Sequence, residues 1–235
     1  PVGIKLCVGQ PHEIFALMKA MVQSEIKLDF IVVDGGEGGT GAAPVELSDR
    51  IGMPLREGLI LVNNALIGSG LRSDIKIGAA GKVISGANLA MNAALGADWS
   101  NAARGFMFAL GCVQSLNCHT GKCPTGIATQ DPARQRGLVI ADKAERVYRF
   151  QKATAAALRD IVVAMGLENP WQIRPHHLYE RLNAVKSSSI DGIYPFLKTG
   201  VLLEAPEKTP YSRYWAAARV DSFRAVPQAQ QTKYN

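Results

Sequence analysis

Three of the four cysteines stand within about a dozen residues, in the run Gly111-Cys-Val-Gln-Ser-Leu-Asn-Cys-His-Thr-Gly-Lys-Cys-Pro-Thr-Gly126. Cys112, Cys118 and Cys123 thus form a Cys-x5-Cys-x4-Cys cluster. Thiolates this close in sequence can converge on one centre if the chain between them turns, and Gly111, Gly121, Pro124 and Gly126 permit those turns. Soft anionic sulfur suits an iron–sulfur cluster or zinc. Zinc would call for a fourth ligand, which His119 could supply. The spacing is neither the paired CxxC of zinc sites nor that of the common four-cysteine ferredoxins. The competing reading is three unrelated buried thiols packed as small hydrophobes.

Two glycine loops are the next candidates. Gly36-Glu-Gly-Gly-Thr-Gly41 satisfies GxGxxG directly after the apolar run Phe30–Asp34. It departs from a dinucleotide fingerprint: Gly35 precedes it, Pro44 intrudes, and no strand ending in an acid follows at about twenty residues. It also lacks the Lys-Ser/Thr of a P-loop. Its bare amides could approach a ring or a phosphate; otherwise it is a flexible connection. Gly78-Ala-Ala-Gly-Lys-Val-Ile-Ser-Gly86 opens a helix, whose first amides suit an anion, or is an ordinary turn.

The elements that must hold these loops alternate. Strand patterns fall at Gly3–Val8, Phe30–Asp34, Ile75–Ala79 and Asp98–Ala102; helical patterns follow at His12–Ser24, Arg56–Gly68, Gly86–Leu95 and Gly105–Leu110. Such alternation predicts parallel βαβ units and an α/β fold. Beyond the cysteines the pattern predicts a long helix over Asp142–Met165. Asp142 is its expected N-cap, with Glu145 completing a capping box and Gly166 as the stop. A short helix is expected at His177–Leu182. The tail after Lys186 is expected to wrap a surface or to be partly disordered.

Composition sets outer limits. A chain of 235 residues with 47% apolar content builds one large domain, or a domain with an appendage. The cysteine pattern is not a secreted disulfide framework, so a reducing cytosol is expected. No membrane-length apolar run or signal peptide is visible. A net charge of +6 with no Lys/Arg run argues against nucleic acid and leaves an acidic redox partner as the better expectation. The chain starts at Pro1 and enters a strand at once, which suggests part of a longer protein.

Taken together, several motifs resemble the FMN-binding synthase domain of glutamate synthase. They are Val2-Gly-Ile-Lys-Leu, Gly38-Gly-Thr-Gly-Ala-Ala-Pro44, Leu95-Gly-Ala97, Gly111-Cys, and Cys118-His-Thr-Gly-Lys-Cys-Pro-Thr-Gly-Ile-Ala-Thr-Gln-Asp131. The resemblance runs from about Val2 to Asp131 and is closest to the short FMN-binding relatives without an amidotransferase domain. It implies the second half of a TIM-type (β/α)8 barrel, residues 1–131, with FMN at the C-terminal ends of the strands, followed by C-terminal helices and a tail over 132–235. The missing N-terminal half of the barrel would have been removed from a longer protein or be supplied by another chain, or this piece would fold alone by oligomerising.

The resemblance further implies that Cys112, Cys118 and Cys123 hold a [3Fe-4S] cluster. It makes His119 a donor to cluster sulfur and Lys5 the strand lysine beside the flavin. Gly38, Gly39, Thr40 and Gly41 would lie against flavin or substrate, and Gly81, Ser85 and Gly86 match parts of the phosphate loop. Cys7 shares the parity of Lys5 but matches no ligand and is read as core. His12, His176 and His177 read as caps or surface residues. The sequence departs from the long enzymes at Ala80-Gly81-Lys82, at Asn101-Ala-Ala-Arg-Gly105, where Arg104 could take over phosphate binding, and at Glu37, which stands for an aspartate.

The activity implied is reductive amination of 2-oxoglutarate to L-glutamate, with ammonia from a separate glutaminase and electrons from a donor protein. No N-terminal cysteine nucleophile for glutamine hydrolysis is present. Two other functions remain open: an FMN oxidoreductase acting on another amino acid or amine, and a non-catalytic iron–sulfur electron-transfer or scaffold module.

Overall fold

The computed structural model describes residues 1–37, 43, 46–49 and 51–226. Four strands, β1 (Gly3–Cys7), β2 (Phe30–Asp34), β3 (Lys76–Ala80) and β4 (Trp99–Asn101), form one sheet in the order β1-β2-β3-β4. Every neighbouring pair is parallel. Each strand is followed by a helix: α1 (Pro11–Ser24), α2 (Leu55–Gly68), α3 (Gly86–Ala94) and α4 (Arg104–Leu110). Sequential order with every strand parallel is the connectivity of a (β/α)8 barrel, taken for half its length; a doubly wound sheet would reverse its order part-way.

Strand parity fixes the two faces. Ile4, Leu6, Ile31, Val33, Ile77 and Ala79 point toward the helices and join a core with Phe15, Met18, Leu59, Leu66 and Leu95. Lys5, Cys7, Phe30, Val32, Asp34, Gly78, Ala80 and Trp99 lie on the opposite face. On that open face Lys5, Cys7 and Trp99 are exposed, and Trp99 stacks edge-on to Phe30 with ring centroids 5.8 Å apart. Gly78 must be small here, because a Cβ would stand 2.6 Å from the Trp99 ring. Below the sheet, Arg72 donates to Asn63 Oδ1, the Ile75 and Gly96 carbonyls and Asp98 Oδ2, while Asp98 also accepts from the Ile77 amide, so the N-terminal strand ends are tied by one network.

The C-terminal part begins with a short helix α5 (Pro132–Gln135) and the long helix α6 (Ile140–Ala164). α6 starts upstream of the expected cap. Val139 is the N-cap, Asp142 lies in the first turn, and Glu145 pairs with Arg149 one turn on, at 2.6 Å, rather than closing a capping box. The C-terminal stop is as expected: Gly166 follows the helix at φ +71°. The expected helix over His177–Leu182 does not form. Pro175–His177 is a 3-10 turn, and β5 (Tyr179–Arg181) pairs antiparallel with β6 (Ser187–Ser189). Asn183 Oδ1 accepts from the Val185 and Lys186 amides and closes that hairpin.

The segment after Lys186 wraps the helical layer. Its short helices α7 (Ile190–Ile193), α8 (Val201–Glu204) and α9 (Ser212–Ala217) bring Ile190, Leu202 and Ala218 into the main core. Tyr211 and Trp215 pack on Phe15 with centroids 5.6 and 6.0 Å away. Asn64, fully buried on α2, anchors the segment: its Nδ2 donates to the Pro195 carbonyl at 2.9 Å and its Oδ1 accepts from the Leu197 amide at 2.7 Å. No helix among the described residues is long and apolar enough to cross a membrane.

Candidate functional site

Three groups of residues gather at the C-terminal ends of the strands and just beyond them. The first is on the open face. Lys5 Nζ forms an ion pair with Asp34 Oδ2, and Asp34 Oδ1 accepts from the Gly36 amide at 3.0 Å. Lys5 is a side chain of the open face and is 58% exposed, so the pair is solvated. Cys7 is not core. It is exposed on the same face, opposite Asp34 in the β1–β2 register. Its sulfur tip is nevertheless crowded: a Cβ at Gly52 would collide with it, and one at Gly36 would stand 3.3 Å away. Desolvation of that tip and then the Asp34 carboxylate raise the thiol above its ordinary range, against a backbone hydrogen bond at Met53 and the nearby Lys5.

Glu37, whose longer side chain had no role in the sequence, caps a helix. Its Oε2 accepts from the Leu55 amide at 3.2 Å, at the positive end of α2. The expected flavin contacts Gly38, Gly39, Thr40 and Gly41 lie outside the described residues.

The second group is the pair of loops after β3 and β4. Gly81 adopts φ +145°, and a Cβ there would meet the Gly35 amide at 3.4 Å, so the loops after β2 and β3 approach through two glycines. The Gly35 amide donates to the Ala80 carbonyl at 2.9 Å. Beside Gly81 opens a polar cavity of about 280 Å³ between the first turns of α2 and α3, with Glu37, Arg56, Lys82 and Asn92 on its wall. Ser85 caps α3 by accepting from the Asn88 amide at 3.3 Å. Asn88 Oδ1 in turn takes the Ile84 and Ser85 amides at 3.2 and 3.1 Å. Gly86 serves helix packing: a Cβ would stand 2.5 Å from the Leu158 amide of α6. Gly105 lies likewise under Phe150, 2.8 Å from its ring edge. Arg104 opens α4 and is half-buried. Between α3, α4 and α6 remains a mainly apolar cavity of about 410 Å³.

The third group is the cysteine loop. α4 stops at Gly111, at φ +104°, and the Cys112 amide donates back to the Met107 carbonyl at 2.9 Å. A Cβ at Gly111 would lie 3.6 Å from Lys143 Nζ and 3.8 Å from Arg146 Nη1, so the first cysteine follows a turn flanked by two cations of α6. Cys118 begins a 3-10 turn, Cys118–Thr120, and His119 within it is exposed. Thr129 clasps the far side. Its hydroxyl donates to the Gly121 carbonyl, while its own carbonyl accepts from Gln135 Nε2 at 2.8 Å.

Within this clasp Cys123 is covered by its own loop. The Thr125 hydroxyl lies 3.3 Å from its sulfur. That hydrogen bond, followed by the Ala128 amide and those of Thr125 and Ile127, lowers the thiol to about 7 against a modest desolvation. A thiolate held by amide donors is the form a metal ligand takes, and cations beside Gly111 favour an anionic centre. Among the described residues no three His, Cys, Asp or Glu side chains close around a single ion. Cys112, Cys118 and Cys123 are the residues that would hold an iron–sulfur cluster, which would supply one-electron transfer.

Residues 1–168 match the family model described as the conserved region in glutamate synthase. The chain belongs to the glutamate synthase family. It is similar to the glutamate synthase large subunit-like protein YerD of Bacillus subtilis (strain 168), at 40% identity over 193 residues, 82% of this chain and 37% of that protein. An archaeal-type glutamate synthase (NADPH) of Thermotoga neapolitana is 35% identical over 167 residues, 71% of this chain and 32% of that protein. The chain thus spans about a third of the length of these glutamate synthase relatives. Among solved structures, a flavocytochrome b2 variant with sulfite bound superposes with a TM-score of 0.44 at 16% identity, over 89% of this chain and 41% of that one.

Sequence reasoning missed two charged residues at these strand ends. Asp34 carries no motif signal beyond its place at a strand end. Glu37 stood inside a glycine motif, where its reach to the α2 amide depends on a fold-back of the chain.

Proposed function

We propose that this chain is the C-terminal part of a glutamate synthase-type oxidoreductase, in which 2-oxoglutarate is reductively aminated to L-glutamate. The observation that carries the proposal is the family match over residues 1–168, which includes both Lys5 and the three cysteines. Ammonia from a separate glutaminase condenses with the keto carbon, releasing water and giving 2-iminoglutarate. A hydride and a proton then reduce the C=N bond. FMN, when bound, supplies that hydride, and a [3Fe-4S] cluster supplies single electrons that restore it.

The chain's own residues have defined tasks in this reading. Lys5 places a cation at the open face, where negative charge on a reduced ring is stabilised. Gly81, with no side chain, leaves the loop backbone bare beside the polar cavity. Arg104 offers a guanidinium for a phosphate at the start of α4. Gly38, Gly39, Thr40 and Gly41 are assigned to the flavin or substrate surface from their motif. Cys112, Cys118 and Cys123 hold the cluster, with Cys123 supplied to it as thiolate at neutral pH. The remaining strands of the barrel come from outside this chain.

A second reading is favoured by one observation. Gly86 is packed under α6 and the Ile84 and Ser85 amides are engaged by Asn88, which leaves fewer donors for a flavin phosphate. A protein that kept the cluster but not the flavin would be an electron-transfer module. The full-length protein, supplied with FMN, a reductant and an ammonia source, is expected to form L-glutamate from 2-oxoglutarate. A flavin-loaded protein that never consumes 2-oxoglutarate sinks the first reading.

A further inference from the structure

Asp34 ends β2 and uses both carboxylate oxygens. One holds Lys5 Nζ; the other takes the Gly36 amide at 3.0 Å, where the chain turns at φ +63°. The register sets Lys5 opposite Val32 and Asp34 opposite Cys7. The lysine therefore reaches diagonally along the strand, toward the C-terminal edge, to meet the carboxylate. Among the described residues near that edge, Glu37 caps α2 and Lys82 pairs with Asp49 at 3.2 Å.

We propose that Asp34 is a positioning residue: it fixes Lys5 Nζ at the C-terminal edge of the sheet, balances its charge there, and ties it to the glycine loop that begins at Gly36. A free lysine side chain samples many rotamers, and an acceptor at the strand end selects among them. The pair also presents little net charge. Removing the carboxylate's charge leaves a bare cation at the position assigned to the flavin ring, which favours the reduced ring. The geometric half stands on the ion pair alone; the charge half rests on the flavin reading of Lys5.

The test compares wild type, Asp34→Asn and Asp34→Glu in the full-length protein. Asn is isosteric and keeps an acceptor for the Gly36 amide, so the fold is retained. In flavin-free protein, acylation of Lys5 read by mass spectrometry is expected to quicken roughly two- to five-fold in Asp34→Asn, the scale of an exposed ion pair, and to return toward wild type in Asp34→Glu. In flavin-loaded protein the midpoint potential is expected to move positive in Asp34→Asn and back in Asp34→Glu. Unchanged Lys5 acylation in Asp34→Asn overturns the positioning role. Quicker acylation with an unmoved potential overturns the charge role. A wild type that takes up no FMN defeats the flavin reading itself, and the acylation result still decides the positioning.

Discussion

Cys7 stands on the open face of the sheet and Cys123 is covered by the loop after α4, yet the covered thiol is the more acidic. Overall exposure does not set this order: the crowded Cys7 sulfur is raised first of all by desolvation, whereas at Cys123 desolvation is outweighed by hydrogen bonds. The difference lies in what surrounds each sulfur. Around Cys123 the chain turns back at Gly121 and Gly126, so that a hydroxyl and successive amides aim at one atom. Around Cys7 the sulfur is desolvated and faces two carboxylates, Asp34 and Glu37, which outweigh a backbone hydrogen bond at Met53 and the Lys5 cation. The thiol of Cys123 favours the thiolate that the proposed cluster would require, whereas that of Cys7 favours its neutral form beside Lys5. A neutral Cys7 leaves the Lys5–Asp34 pair undisturbed.

The largest expected contrast is between the two thiols in cluster-free protein. The alkylation rate of Cys123, followed by mass spectrometry against pH, is expected to reach half its maximum near pH 7, whereas that of Cys7 is expected to keep rising above pH 9. At pH 7 Cys123 then carries far more thiolate than Cys7, partly offset by the lower nucleophilicity of the more acidic thiol. Equal midpoints would erase the distinction.

Gly126→Ala attacks the cradle itself. Gly126 has φ +76°, and a Cβ would collide with the Arg134 carbonyl, so the substitution costs on the order of 1–3 kcal/mol in thermal unfolding. Its Cys123 midpoint is expected to rise until the rate at pH 7 falls more than about tenfold, with Cys7 unaffected. Thr125→Val removes the leading hydrogen bond and nothing else, so the Cys123 rate at pH 7 is expected to fall by about tenfold, the factor for a hydrogen bond to a charged group. A Thr125→Val protein with an unmoved midpoint would put the acidity in the backbone amides alone.

The smallest effect is on Cys7. Asp34 raises its pKa, so Asp34→Asn removes a negative neighbour and moves the midpoint down. A few-fold gain in its alkylation at pH 8 is expected, on the scale of one exposed charge interaction. A Cys7 rate that falls instead would contradict the sign.

Much of this arrangement was legible in the chain. The apolar run Phe30–Asp34 and the glycines after it marked a buried parallel strand and its loop, because such strands need no polar alternation. What escaped depended on partners distant in sequence. Gly86 and Gly105 read as helix-opening glycines, Gly86 also as part of a phosphate loop, but Leu158 and Phe150 of α6 are what require them to be small. Ser187–Ser189 lacks any strand pattern and pairs only because Asn183 closes the turn. Strand parity placed Cys7 beside Lys5; what parity does not give is which face of the sheet the helices cover. At the site, the three cysteines were legible from spacing, whereas the donors that set the acidity of Cys123 come from turns that spacing alone does not define.

The central claim is that this glutamate synthase family chain serves a flavin and an iron–sulfur cluster together. The visible absorption spectrum of the full-length protein, purified without oxygen, tests it most directly. The account predicts flavin bands above a broad iron–sulfur shoulder, with the shoulder lost in Cys123→Ser and the flavin retained. A featureless spectrum, or a shoulder indifferent to Cys123→Ser, would contradict it.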